Sequence, residues 1–184
     1  PAVYAKELAN LDIRQEIHSL SYARELNERL RGTDLRLKVH LKVDTGMSRL
    51  GFFADAPETP EELLAVCDLP HLEVEGIFTH FSVADSLEPG DVAFTKAQYA
   101  AFRRVVDALT AAGKRPEICH CCNSGGTILY PEYAMDMIRP GVATYGIAPS
   151  AELAGRMDLR PLMSLRSTIS QIRTFPAGTA VGYG

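Results

Sequence analysis

Short apolar runs alternate along this chain with longer stretches whose apolar positions recur at helical spacing. Leu35 to Val43 predicts a strand, closed by the turn-forming Asp44-Thr45-Gly46. Thr59-Pro60-Glu61-Glu62 predicts a helix start, with Thr59 as the cap, Pro60 in the first helical position and acids suited to the dipole. Val74 to Phe81 predicts the next strand. From Asp91 to Ala112, the residues Phe94, Ala101, Phe102, Val105 and Leu109 share one helical face, and Gly113 is placed to end that helix. Glu117 to Cys122 predicts another strand, Ser124 to Leu129 a helix opening, and Met137 to Tyr145 a further strand region.

Strands this continuously apolar fit a parallel sheet with helices on both faces. Repeated βα units admit an α/β barrel or a doubly wound sheet. Polar residues gather just past the strand ends, at Lys42 and Asp44, His80, Asn123 and Ser124, and Arg139. A barrel builds its site on that side, so the expected fold is α/β, a partial TIM-type (β/α)8 barrel. After about Ala151 the texture changes. Leu162 to Phe175 reads as a β segment, Pro176-Ala177-Gly178 as a turn, and Thr179 to Tyr183 as a second strand, with no helix between them. This predicts an antiparallel hairpin opening a separate β domain, with residues 1–155 in the barrel and 156–184 in that domain.

Composition narrows the classes. The 184 residues are 46% hydrophobic, enough for a sizeable core. Nineteen basic residues scattered among 23 acidic ones give a net charge of −4, which argues against a nucleic-acid partner. No apolar run approaches the roughly 18 residues of a spanning helix, and no charged-then-apolar leader precedes the first strand. Three of the four cysteines crowd together as Cys119, Cys121 and Cys122. That is a poor disulfide framework, and reads as reduced thiols in a cytoplasmic protein. The chain begins without Met and stops inside a strand-like run, as a piece of a longer chain would.

Five clusters carry candidate chemistry. Lys42-Val-Asp-Thr-Gly-Met-Ser-Arg-Leu-Gly51 sets two cations and a carboxylate around a glycine turn, which is also how a solvated strand-turn looks. Thr79-His80-Phe81 places a histidine at a strand end, where a packed structural role is the plain alternative. In His120-Cys121-Cys122-Asn123-Ser124-Gly125-Gly126, a hydroxyl, glycines and backbone N–H groups could form a phosphate-sized anion pocket, or simply cap a helix. A metal site at Cys119 to Cys122 is disfavoured, because neighbouring strand residues point to opposite faces. Ile138-Arg139-Pro140-Gly141-Val142 holds an arginine in apolar surroundings, costly to bury without a partner. Gly182-Tyr183-Gly184 says little alone.

In this order, the clusters from Lys42 to Gly51, Thr79 to Phe81, Asn123-Ser124, Arg139 to Val142 and Val181 to Gly184 resemble the alanine racemase family over essentially the whole chain. That resemblance implies a fold-type III enzyme whose barrel holds pyridoxal 5'-phosphate, and whose C-terminal β domain completes the site in a head-to-tail homodimer. It implies that Ser124 and the backbone around Gly141 and Val142 hold the cofactor phosphate, with Asn123 beside them. Arg139 would contact the pyridine nitrogen and His80 would hydrogen-bond Arg139 from behind. Arg49 would reach the cofactor's phenolic oxygen and the substrate carboxylate. Lys42 matches a position that some members carry as a carbamate, and Tyr183 the tyrosine that exchanges the α-proton of alanine on one face.

The implied activity is interconversion of L- and D-alanine for peptidoglycan precursors. A racemase for serine or another small amino acid, and a non-catalytic pyridoxal-phosphate barrel, are the alternatives. The motif of the Schiff-base lysine and the residues of the substrate entrance do not occur in these 184 residues, so the chain alone is expected to be inactive. The chemistry fits the residues. Racemisation needs an acid/base group on each face of a planar carbanion, and an arginine at the ring nitrogen would disfavour its protonation and so limit transamination.

Overall fold

The computed structural model describes residues 1–182. Four parallel strands, β1 (Gln15–Ile17), β2 (Leu37–Asp44), β4 (Leu72–Phe78) and β5 (Ile118–His120), lie side by side in that order. The two-residue β3 (Phe52–Phe53) pairs with the end of β2. Helices α2 (Leu20–Leu30), α3 (Thr59–Cys67) and α4 (Pro89–Ala111) make the crossovers, and α1 (Ala5–Asn10) precedes β1. The result is a run of βα units, a section of barrel wall.

Side-chain alternation explains why β2 sits in the middle. Leu37, Val39, Leu41 and Val43 form one fully buried face, while Lys38, His40, Lys42 and Asp44 take the other. Ser19 caps α2, its Oγ accepting the Tyr22 N–H at 3.2 Å, and Ala23, Leu26 and Leu30 are buried at helical spacing. Along α4 the buried stripe runs Thr95, Gln98, Ala101, Phe102, Val105, Val106, Leu109. Each fully buried Leu or Phe contributes roughly 1.5–3 kcal/mol. The helix stops as the spacing predicts. Gly113 takes φ +71°, and the Gly113 and Lys114 N–H groups close the last turn on Thr110 and Leu109. Stacked rings of Tyr99, Tyr133 and Tyr130 fasten the segment after α5 (Ser124–Leu129) to α4.

Four local expectations are corrected. Thr59 is the first helical residue, not the cap. Its hydroxyl donates to Phe53 O at 2.6 Å, so Glu58 takes the cap position without a side-chain bond. Phe94 is 41% exposed, because it lies over the Gly46 turn rather than in the core. Met137 to Tyr145 forms no strand. The N–H groups of Asp136 and Arg139 do bond to Cys119 O and Cys122 O beside β5. Pro140 then offers no N–H, and Val142–Tyr145 coils into a 3-10 turn. Finally, the hairpin of Leu162 to Tyr183 is absent among the described residues. Pro176 to Thr179 does turn, but Leu165, Ile169 and Ile172 stand almost fully exposed. A strand exists only against a partner ladder, and the described residues offer this segment none. Tyr183 lies outside the described residues.

All four cysteines are free thiols. Among the described residues no helix is long and apolar enough to cross a membrane, and no three His, Cys, Asp or Glu side chains are grouped to hold a metal ion.

Two glycines test the fold in different ways. A Cβ on Gly76 would overlap the His40 ring on the neighbouring strand, whereas one on Gly113 would meet nothing within 4 Å. Gly113→Ala should therefore cost only the left-handed backbone penalty, about 1 kcal/mol. Gly76→Ala should cost more, about 2–3 kcal/mol of overpacking, read as the shift in urea unfolding midpoint.

Candidate active site

The carboxyl ends of β2, β4 and β5 converge, as parallel α/β units require, and a cavity of about 250 Å³ opens beyond β4 and β5. His80, Asn123, Ser124, Arg139, Gly141 and Val142 all line it. The buried hydroxyl of Ser124 accepts from the N–H of Gly141 at 2.8 Å and of Ala143 at 3.3 Å. Asn123 holds the turn before it. Its Oδ1 accepts from Gly126 N–H at 2.9 Å and its Nδ2 donates to Phe81 O at 3.1 Å. One wall thus gathers a hydroxyl and two backbone donors, a grouping suited to phosphate oxygens.

Arg139 lines the same cavity. Its Nη2 donates to Thr79 O at 2.8 Å, with His80 Nδ1 at 3.4 Å and Cys121 O at 3.5 Å, and its Nη1 reaches His120 Nδ1. The guanidinium carbon lies 5.1 Å from the centre of the Phe78 ring. All its hydrogen-bond partners are neutral acceptors. Burial pulls its pKa down from the usual value, yet an arginine keeps its charge. The same burial, with the Arg139 charge, pulls His80 down to about 4 and His120 to about 3. Both rings are therefore neutral near pH 7 and can accept.

Lys42 is buried on the site side of β2, its ammonium donating to Val43 O at 2.9 Å and lying 5.5 Å from the Phe78 ring centre. Burial first, then repulsion from Arg139 and Arg49, lowers its pKa to about 8, although Asp44 and Glu16 oppose the shift. The amine thus stays mostly protonated near neutrality, with a minor free fraction. Asp44 shapes the loop that follows, its Oδ1 accepting from the N–H groups of Gly46 and Ser48 at 2.9 and 3.0 Å. Arg49, on that loop, is exposed and makes no hydrogen bond or ion pair among the described residues. Six of the nine expected site residues therefore share the cavity, Lys42 lies buried beside it and Arg49 outside its lining.

Sequence reasoning missed two residues. His120, weighed there only as part of a disfavoured metal group, is the nearest side chain to Arg139. Gln98 on α4 is buried, accepts from Ser82 N–H, and donates to Thr45 Oγ1 and His80 O. A polar residue four before Phe102 on an apolar helical face was the available signal.

The lowered histidines set an acid limit on stability. Unfolded imidazoles titrate near pH 6.5, above the folded values of about 4 for His80 and 3 for His120. Below about pH 6.5 the unfolded chain takes up protons that the folded chain refuses, so stability should fall as pH drops toward 3. Each ring contributes at most about 1.4 kcal/mol per pH unit. Urea midpoints between about pH 6.5 and 5.5, where the carboxylates are still largely ionised, should decline more steeply for the wild type than for His120→Gln. Parallel declines would mean that His120 titrates freely in the fold.

Residues 1–149 match the sequence family described as "Alanine racemase, N-terminal domain". An alanine racemase of Desulfosudis oleivorans is 38% identical over 192 aligned positions, covering 100% of this chain and 48% of that protein. One from Desulforamulus reducens is 41% identical over 154 positions, 83% of this chain and 40% of its own length. The solved alanine racemase of Clostridium difficile 630, in complex with cycloserine, superimposes on 88% of this chain and 43% of its own, with a TM-score of 0.82 and 30% identity. A histidine racemase from Leuconostoc mesenteroides subsp. sake superimposes on 87% of this chain and 42% of its own, with a TM-score of 0.75 and 29% identity. The chain spans about half the length of the curated relatives it matches. With the parallel wall and the clusters in family order, these matches bear out the partial TIM-type barrel, and the chain belongs to the alanine racemase family.

Proposed function

We propose that this chain forms the cofactor-holding part of a pyridoxal-phosphate-dependent alanine racemase, which supplies D-alanine for peptidoglycan precursors in the cytoplasm. The observation that carries the reading is one cavity lined both by a hydroxyl with converging backbone N–H groups and by a guanidinium hydrogen-bonded only to neutral acceptors. The residues present fit pyridoxal phosphate on that ground. Ser124 and the Gly141 to Ala143 backbone would hold the phosphate, with Asn123 and Val142 beside it. Arg139 would face the ring nitrogen as a donor, its cation keeping that nitrogen unprotonated, with His80 and His120 accepting behind it. When bound, pyridoxal phosphate supplies an electron sink for the charge left on the α-carbon.

The chain's own residues then bind and move protons. Arg49 would pair with the substrate carboxylate, and Lys42, whose lowered pKa leaves some free amine for carbamylation, would orient Arg49 as the carbamate. Tyr183 would take and return the α-proton on one face. A cation such as Arg49, brought beside it in a complete site, would favour its phenolate. The family resemblance further implies a homodimer in which Tyr183 serves the partner subunit's site, and a β domain beginning near residue 156.

A second reading keeps the chemistry and changes the substrate. The similarity to a histidine racemase, at a TM-score of 0.75, shows that this wall geometry also occurs in a protein named for a larger side chain. Racemisation of L-alanine, L-serine and L-histidine by the complete polypeptide, followed by circular dichroism with pyridoxal phosphate, separates the readings. Alanine is expected to turn over fastest, and no turnover of any of the three would overturn the assignment.

Arg139→Lys cannot reproduce a planar fork bonded at several points. Losing even one charge-assisted bond of about 1.5–3 kcal/mol should weaken pyridoxal-phosphate binding about tenfold or more, read by equilibrium dialysis. Ser124→Ala should weaken binding of pyridoxal phosphate but not of pyridoxal, since only the phosphate wall is changed. Tyr183→Phe subunits of the complete enzyme should be nearly inactive alone. Mixed with subunits lacking the Schiff-base lysine, they should regain activity through one intact site per heterodimer. No recovery in proven heterodimers would place Tyr183 in its own subunit's site.

A further inference from the structure

Behind Arg139, a line of hydrogen bonds runs along the site-side face of the sheet toward the amino ends of the strands. His120 Nε2 lies 2.8 Å from His40 Nδ1, His40 Nε2 lies 3.3 Å from Glu75 Oε2, and Arg14 clamps the Glu75 carboxylate with two bonds of 2.8 and 3.0 Å. The sheet is locally built for this line. Pairing between β2 and β4 matches Val39 with Val74 but His40 with Gly76, so Glu75 is the extra residue of a bulge, a device that re-aims a side chain. Gly76 is where any side chain would overlap the His40 ring. Phe78 stacks flat on His120, centroids 4.9 Å apart.

The two ends fix every proton between them. Arg139 can only donate, which favours an accepting His120 Nδ1 and a His120 proton on Nε2. That N–H donates to His40 Nδ1, which therefore accepts, and His40 carries its own proton on Nε2, directed at Glu75. The Glu75 carboxylate can only accept, and Arg14 holds it ionised, well below the usual carboxylate range. No second arrangement satisfies both ends with neutral rings.

We propose that His40 and Glu75 are positioning residues for Arg139: the one-way relay Arg139 to His120 to His40 to Glu75 fixes His120 as an acceptor and so fixes the direction of the guanidinium. Neither His40 nor Glu75 lines the cavity, so both act only through His120. The consequence for a bound cofactor rests on the function proposed above. The relay itself belongs to the free chain.

Long-range proton–nitrogen NMR on the chain without cofactor tests it. In the wild type, His120 and His40 should each show one neutral tautomer, protonated on Nε2. In His40→Leu, His120 should become a mixture of tautomers, and the Arg139 Nη protons should exchange with solvent about tenfold faster or more, the loss of one bond of about 1.4 kcal/mol. Backbone amides of Leu41 and Ile77 should keep their rates, so that general loosening is not mistaken for relay loss. His40→Gln should restore both signatures, because its amide oxygen can accept from His120 and its NH2 donate to Glu75. Glu75→Gln, which removes only the charge, should give an intermediate exchange rate and serves as the readout if His40→Leu does not fold.

An unchanged His120 tautomer and Arg139 exchange in Glu75→Gln and His40→Leu would overturn the proposal, and so would a His40→Gln variant that behaves like His40→Leu. Dialysis of the wild type against pyridoxal phosphate separates this result from the function. A relay without cofactor binding would sink the function alone, and binding without tautomer changes would sink the relay alone.

Discussion

Arg139 carries a full positive charge into the barrel wall with no carboxylate among its hydrogen-bond partners. Removing a charge from water is costly unless other groups replace the hydration, and here the replacements are two imidazoles, two carbonyl oxygens and the face of Phe78. A carboxylate would have solved the desolvation problem more simply, at the expense of neutralising the cation. Neutral acceptors solvate the guanidinium without neutralising its charge. Much else follows: the histidines must stay unprotonated, Phe78 must lie flat beside them, and the chain after α5 must return along β5 to deliver residue 139.

Delivery of that residue explains features that look unrelated. The tyrosine stack fixes the chain after α5 on α4, and the N–H groups of Asp136 and Arg139 grip the end of β5. Pro140 then stops the pairing, and Gly141 and Ala143 turn their N–H groups to Ser124. One irregular segment therefore presents both the cation and the anion-binding donors, on either side of a proline.

The sequence read well where one local pattern decides the outcome. The helix at Ser124–Leu129 opens where Asn123, Ser124 and the two glycines place it, and β2, β4 and β5 fall within a few residues of their apolar runs, whereas the short β1 carried no such run. Arg139 and His80 were legible as charged or polar breaks in apolar stretches. His120 was not, because its role depends on a bulge in the neighbouring strand and on a side chain 19 residues later. The Leu162 to Tyr183 segment shows the opposite failure. Its alternation is strand-like, but strandedness is a property of pairs, and periodicity in one segment says nothing about whether a partner is at hand.

Gln98 ties the site to its scaffold from a crossover helix rather than from a loop. From the middle of a helix, its one amide holds the loop after β2 through Thr45 and the segment after β4 through His80 and Ser82. In most barrels the crossover helices can be exchanged as packing elements while the loops carry the chemistry. Here that modularity fails: a chimera that replaced α4 with a relative's helix of equal hydrophobic pattern, but without an amide at this position, would release two catalytic-face segments while leaving the core filled.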